Sequence, residues 1–321
     1  MLAEALSELE SLFGKGPCRG VNSLSCEWMY AKGRKCGLIF DPYNRRLKLS
    51  GISAEILSNT KAQVWLEGLG KYPEFYSKLI VYAKSGNEYE WQECGFHYEG
   101  GIPEYFGDGG DLWFWAAYGD ASRKQNPLEE EHERIVELAM SKAPSAAKLP
   151  QSLSSRIGLP RDSAEISSVL GRVFNDYPIP LDEEFTRARL ADGSHHFRLV
   201  FNENKELVAL ASAEIDSSNG CAELTDCVTL PPYRGKGLMA ALLREIQRDL
   251  IHDIGIADLY TLARADEIGM NCTFSKLGWN FSGRLRNNCR MPTGWESMNI
   301  WCQKPYRGPG AALELNLKPS N

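Results

Sequence analysis

The chain of 321 residues reads as an α/β protein with a mixed central β-sheet flanked by helices, preceded by a smaller α/β domain. Three observations predict this. Strand and helix patterns alternate through the second half. A run of small residues with two prolines, Ser141 to Pro150, interrupts the periodicity. A turn rich in glycine and cations, Arg234-Gly235-Lys236-Gly237, separates a strand from an amphipathic helix. The expected layout is a first domain over 1–125, a connecting helix and linker over 126–150, a main domain over 151–305 and a tail over 306–321.

Met1 to Phe13 contains Glu4, Glu8 and Glu10 and reads as a short surface helix without an export signal. Ser58-Asn59-Thr60 is placed to cap a helix through Leu69. Leu79 to Lys84, a short helix around Trp91, Cys94 to Gly100 and Leu112 to Trp115 follow. They echo Leu259 to Arg264, a helix around Phe274, Leu277 to Trp279 with Gly283, and Met298 to Trp301. The echo suggests a duplicated half-fold whose first copy lacks the glycine-rich turn. Trp113, Phe114 and Trp115 read as core. Asn126 can cap a helix with Pro127 first and Glu129, Glu130 and Glu131 in its first turn. That helix is expected to pack between the two halves.

In the main domain Arg161 to Phe174 and Leu181 to Leu190 read as helices. His195 to Phe201, Glu206 to Ile215 and Cys221 to Thr229 read as strands of a meander, with His195 and His196 in structural positions. Beyond the glycine-rich turn come helix Leu238 to Ile251, strand Asp258 to Ala263, helix Asp266 to Leu277, and strands Trp279 to Arg286 and Ser297 to Gln303. Tyr306 onward, with Gly308, Pro309 and Gly310, reads as a loosely docked end.

Bulk properties remove several function classes. A formal charge of -6 with a sequence pI near 5.6 offers no basic surface for nucleic acid. No apolar run approaches the roughly 20 residues of a membrane helix. Nine scattered cysteines without a C-x-x-C pair give no zinc or redox motif, so no metal is expected and the setting reads as cytoplasmic. The turn itself points to an anion. A helix N-terminus leaves backbone N-H groups unpaired and carries partial positive charge, which suits a pyrophosphate.

Residues 152–304 resemble the GNAT superfamily of acyl-CoA-dependent N-acyltransferases, whose hallmark is a strand, an Arg/Gln-x-x-Gly-x-Gly/Ala turn and a helix. The turn here reads Arg234-Gly235-Lys236-Gly237-Leu238-Met239, with Met239 where glycine or alanine is usual. Three further strings resemble the beta-lysine N-acetyltransferase family. They are Glu223 to Pro231, Gly269-Met270-Asn271-Cys272-Thr273-Phe274, and Asn287-Asn288-Cys289 with Met298-Asn299-Ile300-Trp301. The family's two-part layout carries the resemblance over nearly the whole chain.

The resemblance implies a GNAT-like fold and acetyl-CoA as co-substrate, and with it the internal echo suggests that the first domain is a degenerate GNAT-like half. Val228, Thr229 and Leu230 would line the pantetheine arm, and Arg234, Gly235, Lys236, Gly237, Leu238 and Met239 would hold the pyrophosphate. The implied reaction acetylates the terminal amine of beta-lysine. In this family that yields a compatible solute from a diamino acid made by a lysine 2,3-aminomutase. A homodimer is compatible with the sequence. Alternatives are another small amine, a polyamine or a peptide N-terminus as acceptor, and a non-catalytic acyl-CoA sensor.

The chemistry needs a base. An amine of pKa near 10.4 is neutral in about one molecule in 2,500 at pH 7, a penalty of roughly 4.6 kcal/mol. Glu223 and Asp226 are the carboxylates on the relevant strand. Strict alternation puts them on opposite faces, so only one can face the thioester, barring a bulge. Glu223 is the favoured base on the superfamily's habit, and Asp226 would anchor the strand or hold a second ammonium. Phe274 occupies the place of a family tyrosine that protonates the leaving thiolate, with Tyr260 or water as substitute and no strong acid preferred. Cys227 and Cys272 lie near the expected site and read as buried rather than as nucleophiles. For the acceptor carboxylate the candidates are Arg264, Asn271, Asn287 and Asn288; for the distal ammonium, Asp226 and Glu296.

Overall fold

The computed structural model describes residues 24–31, 34–41, 43–59, 68–69, 76–119, 121–146, 148–174, 181–291, 294–306 and 308. The expected N-terminal helix, the tail from 309 onward and the helix segment 60–67 fall outside the described residues.

The first half contributes β1 (Leu24–Ala31), β2 (Arg34–Asp41), β3 (Arg46–Ser50), helix α1 (Ala54–Asn59), β4 (Lys78–Lys84), α2 (Glu88–Glu93), β5 (His97–Ile102) and β6 (Leu112–Tyr118). Two helices, α3 (Ala121–Lys124) and α4 (Glu129–Met140), lead to β7 (Ser154–Ile157). The second half continues with α5 (Ser163–Val173), α6 (Glu183–Ala191), β8 (His195–Phe201), β9 (Leu207–Asp216), β10 (Cys221–Thr229) and α7 (Leu238–Arg248). It closes with β11 (Asp258–Arg264), α8 (Ile268–Lys276), β12 (Asn280–Met291) and β13 (Gly294–Cys302). The expected meander β8-β9-β10 is present, and the last two strands form a longer hairpin than the sequence pattern suggests.

All described strands join one mixed sheet, in the order β1-β2-β3-β4-β6-β5-β12-β13-β11-β10-β9-β8-β7. The order β1-β2-β3-β4-β6-β5 in the first half repeats as β8-β9-β10-β11-β13-β12 in the second, and each run contains one parallel pair, β3/β4 and β10/β11. The copies differ at that pair. β3 is matched with β4 along its whole length, from Arg46 opposite Lys78 to Ser50 opposite Tyr82. β10 is matched with β11 only from Cys221 opposite Asp258 to Glu223 opposite Tyr260.

Alternation along the strands sorts apolar side chains into cores on both faces of the sheet. In the first half Leu47, Leu49, Leu79 and Val81 pack with Trp91, Trp113 and Trp115, so the tryptophans are core as expected. In the second half α7 and α8 lay Leu242, Leu243, Ile246 and Phe274 on Leu224, Leu259 and Trp301. On the opposite face α5 lays Ile166, Val169 and Leu170 on Phe197, Leu210 and Val228. A further core spans the join: Ile80, Leu112 and Phe114 from the first half meet Leu285, Met298 and Ile300 from the second.

The helix α7 is fixed at its C-terminal end. Arg198 on β8 grips Asp249 with Nε at 2.6 Å and Nη2 at 2.8 Å, and Glu245 with Nη1 at 3.0 Å. Burial opposes ionisation of Asp249, but hydrogen bonds from Arg198 and His196 outweigh it and hold the carboxyl below its ordinary range. A π-helical turn, Asp249–Ile254, ends the helix there. The connecting helix α4 starts two residues later than the cap at Asn126 suggests. It rests on the second half, with Glu129 bonded to Arg284 at 2.6 Å and Ala139 in the α7/α8 core. At the tail, Tyr306 packs against the first-half core and its hydroxyl bonds that of Tyr98. No helix among the described residues is long and apolar enough to cross a membrane.

The halves join where β5 meets β12 at a single backbone pair, Gly100 opposite Gly283. A Cβ on Gly283 would lie 2.3 Å from the Gly100 Cα, and its φ of 144° is one that glycine alone adopts freely. Beside this point a buried ion pair replaces the ladder. Lys78 and Glu99 lie 2.7 Å apart; Glu99 accepts from the Arg286 N-H at 2.9 Å and Lys78 donates to the Arg286 carbonyl at 2.6 Å. Burial pulls the Lys78 ammonium down to about 8 against the attraction of Glu99.

Gly283→Ala therefore forces both a backbone clash and a strained φ, and is expected to cost about 3 kcal/mol in urea unfolding. Gly171→Ala, at an exposed position of helix α5 with open space around it, is the control and should be neutral or stabilising by up to about 1 kcal/mol.

Candidate active site

In β10, Ala222 and Leu224 enter the α7/α8 core, which turns Glu223 and Thr225 to the opposite face. A bulge then resets the alternation. Thr225 stands opposite Ser212 and Val228 opposite Leu210, leaving Asp226 and Cys227 against one residue of β9. Asp226 takes the left-handed φ of 48° that the extra residue requires. Val228 thereby packs under α5 and Cys227 against the α7/α8 core. This corrects the alternation read from sequence: Asp226 lies on the Glu223 face.

The two carboxylates have different surroundings. Asp226 is 3% exposed, 2.7 Å from Arg189 of α6 and 2.8 Å from the Ser212 hydroxyl, so it is committed to a buried ion pair instead of open to a ligand. Glu223 belongs to a row running across four strands, since His195 pairs with Glu214, Glu214 with Glu223 and Glu223 with Tyr260. Burial, with repulsion from Glu214, pushes the Glu223 carboxyl up to about 8 against the pull of Lys48 and Arg46. Burial and nearby Arg189 hold His195 down at about 4, so its ring is neutral at pH 7. Tyr260 is pushed well above the ordinary phenol range by burial and then by Glu223, which keeps its proton in place.

Glu223 and Tyr260 are also where β10 and β11 part. Beyond them only the Thr261 hydroxyl crosses, donating to the Leu224 carbonyl at 2.7 Å, and the strands continue to Thr229 and Arg264 without a ladder between them. The wedge opens toward the glycine-rich turn. Pro231 and Pro232, which offer no N-H, end the strand in a single 3-10 turn. Gly235 and Gly237 both take φ of 74°, the left-handed conformation that glycine adopts freely, ahead of α7. A Cβ at Gly235 would meet nothing within 4 Å, so the turn is open to a ligand. Arg234 braces it by donating from Nε to the Thr229 carbonyl at 2.9 Å, and exposed Lys236 lies 5.4 Å over the Tyr233 ring. Met239 packs against the α7/α8 core. An open Gly235, two cations and a strand pair whose ladder stops short of its ends fit a pyrophosphate with an extended arm.

The residues expected to hold the acceptor are engaged elsewhere. Arg264 meets Glu296 through two bonds, at 2.5 and 2.9 Å. Asn271 is fully buried, donates to the carbonyls of Arg264 and Glu267, and accepts from Asn299 and Trp301. The Asn287 amide bonds the carbonyls of Ser122, Arg123 and Gln125. Asn288 is 2% exposed; its backbone carbonyl accepts from Arg46 and its side-chain amide donates to the Cys289 sulfur at 3.8 Å. None of these lies in the row with Glu223. Phe274 is buried in the α7/α8 core, and burial drives the Cys227 thiol well above its ordinary range. Among the described residues no group of three or more His, Cys, Asp and Glu is arranged to hold a metal.

The surroundings of Glu223 include residues that no motif marks: Glu214, and from the first half Arg46, Lys48 and Tyr105. The ring of Tyr105 is 6.0 Å from that of Tyr260. The local signal for Arg46 and Lys48 is their alternation with Leu47 and Leu49, which marks a strand with a charged face.

Residues 165–278 match the model of the Acetyltransferase (GNAT) family. The beta-lysine N(6)-acetyltransferase of Methanosarcina mazei is 33% identical over 273 residues, 78% of this chain and 96% of that protein. The N-acetyltransferase YodP of Bacillus subtilis is 31% identical over 71% of this chain and 82% of its own length. The beta-lysine N(6)-acetyltransferase of Methanococcus maripaludis is 30% identical over 69% and 81%.

The raised Glu223 carboxyl links stability to pH. Its native value of about 8 lies above the ordinary 4.5, so between these the native chain binds more protons than the unfolded one. Its contribution is present at low pH and is lost as pH rises through about 8. Wild type should lose more of its urea midpoint than Glu223→Gln between pH 5 and pH 8.

Proposed function

The chain belongs to the beta-lysine N-acetyltransferase family of GNAT enzymes, and from that premise we propose that it transfers the acetyl group of acetyl-CoA directly to the terminal amine of beta-lysine, with Glu223 as general base. The observation that carries the reading is the coincidence of Glu223 with the vertex of the β10/β11 wedge. A co-substrate whose pyrophosphate rests on Gly235 to Met239 and whose arm lies along Val228 to Leu230 would bring its thioester to that vertex.

There each neighbour has a task. Glu223 receives the proton of the acceptor ammonium, and its raised pKa narrows the gap to the amine and eases the transfer. The free amine attacks the thioester carbonyl, backbone amides of β10 stabilise the oxyanion, and the C-S bond breaks to release CoA thiolate. Tyr260, a neutral phenol beside Glu223, would donate to that thiolate in the role that Phe274 cannot fill and regain a proton from the nitrogen of the new amide. Asp226 acts at one remove by holding the bulge through Arg189 and Ser212.

In this reading residues 1–125 are a degenerate GNAT-like half without an acetyl-CoA seat, supported by the unbroken β3/β4 pairing. The acceptor would come from lysine 2,3-aminomutase, and the product would serve as a cytoplasmic compatible solute. The commitment of Asn287 to backbone carbonyls favours a second reading, a polyamine acceptor needing no carboxylate anchor there.

Thiol release from acetyl-CoA, measured with beta-lysine, alpha-lysine and spermidine, separates these readings. Beta-lysine should give the highest kcat/KM, and Glu223→Gln should lower kcat by about 10²- to 10⁴-fold. Tight acetyl-CoA binding without thiol release from any amine would instead identify an acyl-CoA sensor.

A further inference from the structure

The acceptor carboxylate lacks an anchor among the residues first expected to hold it. β3 offers one. Leu47 and Leu49 of this strand enter the first-half core, so Arg46 and Lys48 point to the other face, where Ile80 joins the core shared by both halves. In the order of the sheet six strands separate β3 from β10. Laid flat, at about 4.8 Å per strand, they would stand roughly 34 Å apart.

The sheet curls instead and brings the two together. Arg46 Nη1 donates to the Asn288 carbonyl at 3.2 Å and lies 3.7 Å from the Cys289 sulfur, on the second-half hairpin. Tyr105 reaches Tyr260, and Tyr82, Tyr105, Tyr260 and Leu262 line the same shared core. Both cations act electrostatically on Glu223. They differ in what they hold. Arg46 is bound to Asp41 at 2.8 Å. Lys48 is half-buried with its ammonium 6.0 Å over the Tyr82 ring, and among the described residues it makes neither a hydrogen bond nor an ion pair.

We propose that Lys48, supplied by the first half of the chain, binds the carboxylate of the amino-acid acceptor whose amine is presented to Glu223. The inference rests on the reading that the acceptor meets the acetyl group beside Glu223. A half-buried ammonium facing an aromatic wall has lost part of its hydration, and an incoming carboxylate compensates that loss. The same charge repels the second ammonium of a polyamine, so one residue both attracts a diamino acid and disfavours a carboxylate-free diamine. The first half thus acts in acceptor selection.

The test measures beta-lysine against putrescine, in thiol release and in calorimetric binding in the presence of CoA, for wild type, Lys48→Met, Lys48→Arg and Glu223→Gln. In Lys48→Met the KM and the Kd for beta-lysine should rise at least tenfold with kcat within about threefold, and the preference for beta-lysine over putrescine should fall at least tenfold. Lys48→Arg should retain the preference. Equal changes for both acceptors, or unchanged beta-lysine binding in Lys48→Met, overturn the proposal. Glu223→Gln tests the base separately: wild-type turnover in that variant removes Glu223 from its role, while carboxylate-dependent binding through Lys48 is read in the calorimeter regardless of turnover.

Discussion

Two glycines in contact set the terms for the rest of this molecule. Gly100 and Gly283 let the edge strands of two half-sheets approach without side chains, and one mixed sheet results. Around that contact the chain spends a buried charge pair. Lys78 and Glu99 take up the carbonyl and N-H of Arg286 where the ladder has stopped. A buried pair of this kind adds little net stability over an apolar substitute, because desolvating both ions offsets their attraction. What it contributes is register: it fixes where β12 sits against the first half.

Register at the join decides the electrostatics at the vertex. Glu223 is half-buried beside another carboxylate, and both effects favour its protonated form. Lys48 and Arg46 oppose them from the far arm of the curled sheet. A carboxyl left at about 8 can gain or lose its proton close to neutral pH. Asp226, three residues on, shows the contrasting solution, in which Arg189 and Ser212 satisfy the charge and the group serves the backbone.

Local pieces of this design are visible in the sequence. The meander, the glycine-rich turn and the helix after it follow from alternation, helix periodicity and turn residues, which act over a few neighbours. The Asp226 bulge is not visible, because the extra residue appears only when β10 is matched against β9. Asn271 and Asn287 look like ligand groups in a string of letters, yet their amides are consumed by carbonyls that the fold brings to them. The positions of Lys48 and Tyr105 relative to the second half depend on curvature accumulated over many strands. Periodicity gives a strand its faces, but it does not say which distant strand those faces will meet.

The join also orders events in time. The bond between Arg286 and Glu99 closes a separation of 187 residues, whereas each half is built mainly from neighbouring strands and short connections. Closing so long a loop is entropically costly and is repaid only once both halves present finished edges. The contacts between the halves are therefore a late product of folding. A chain emerging from synthesis completes its first half before its second, so docking of the halves is the step that completes the surroundings of Glu223.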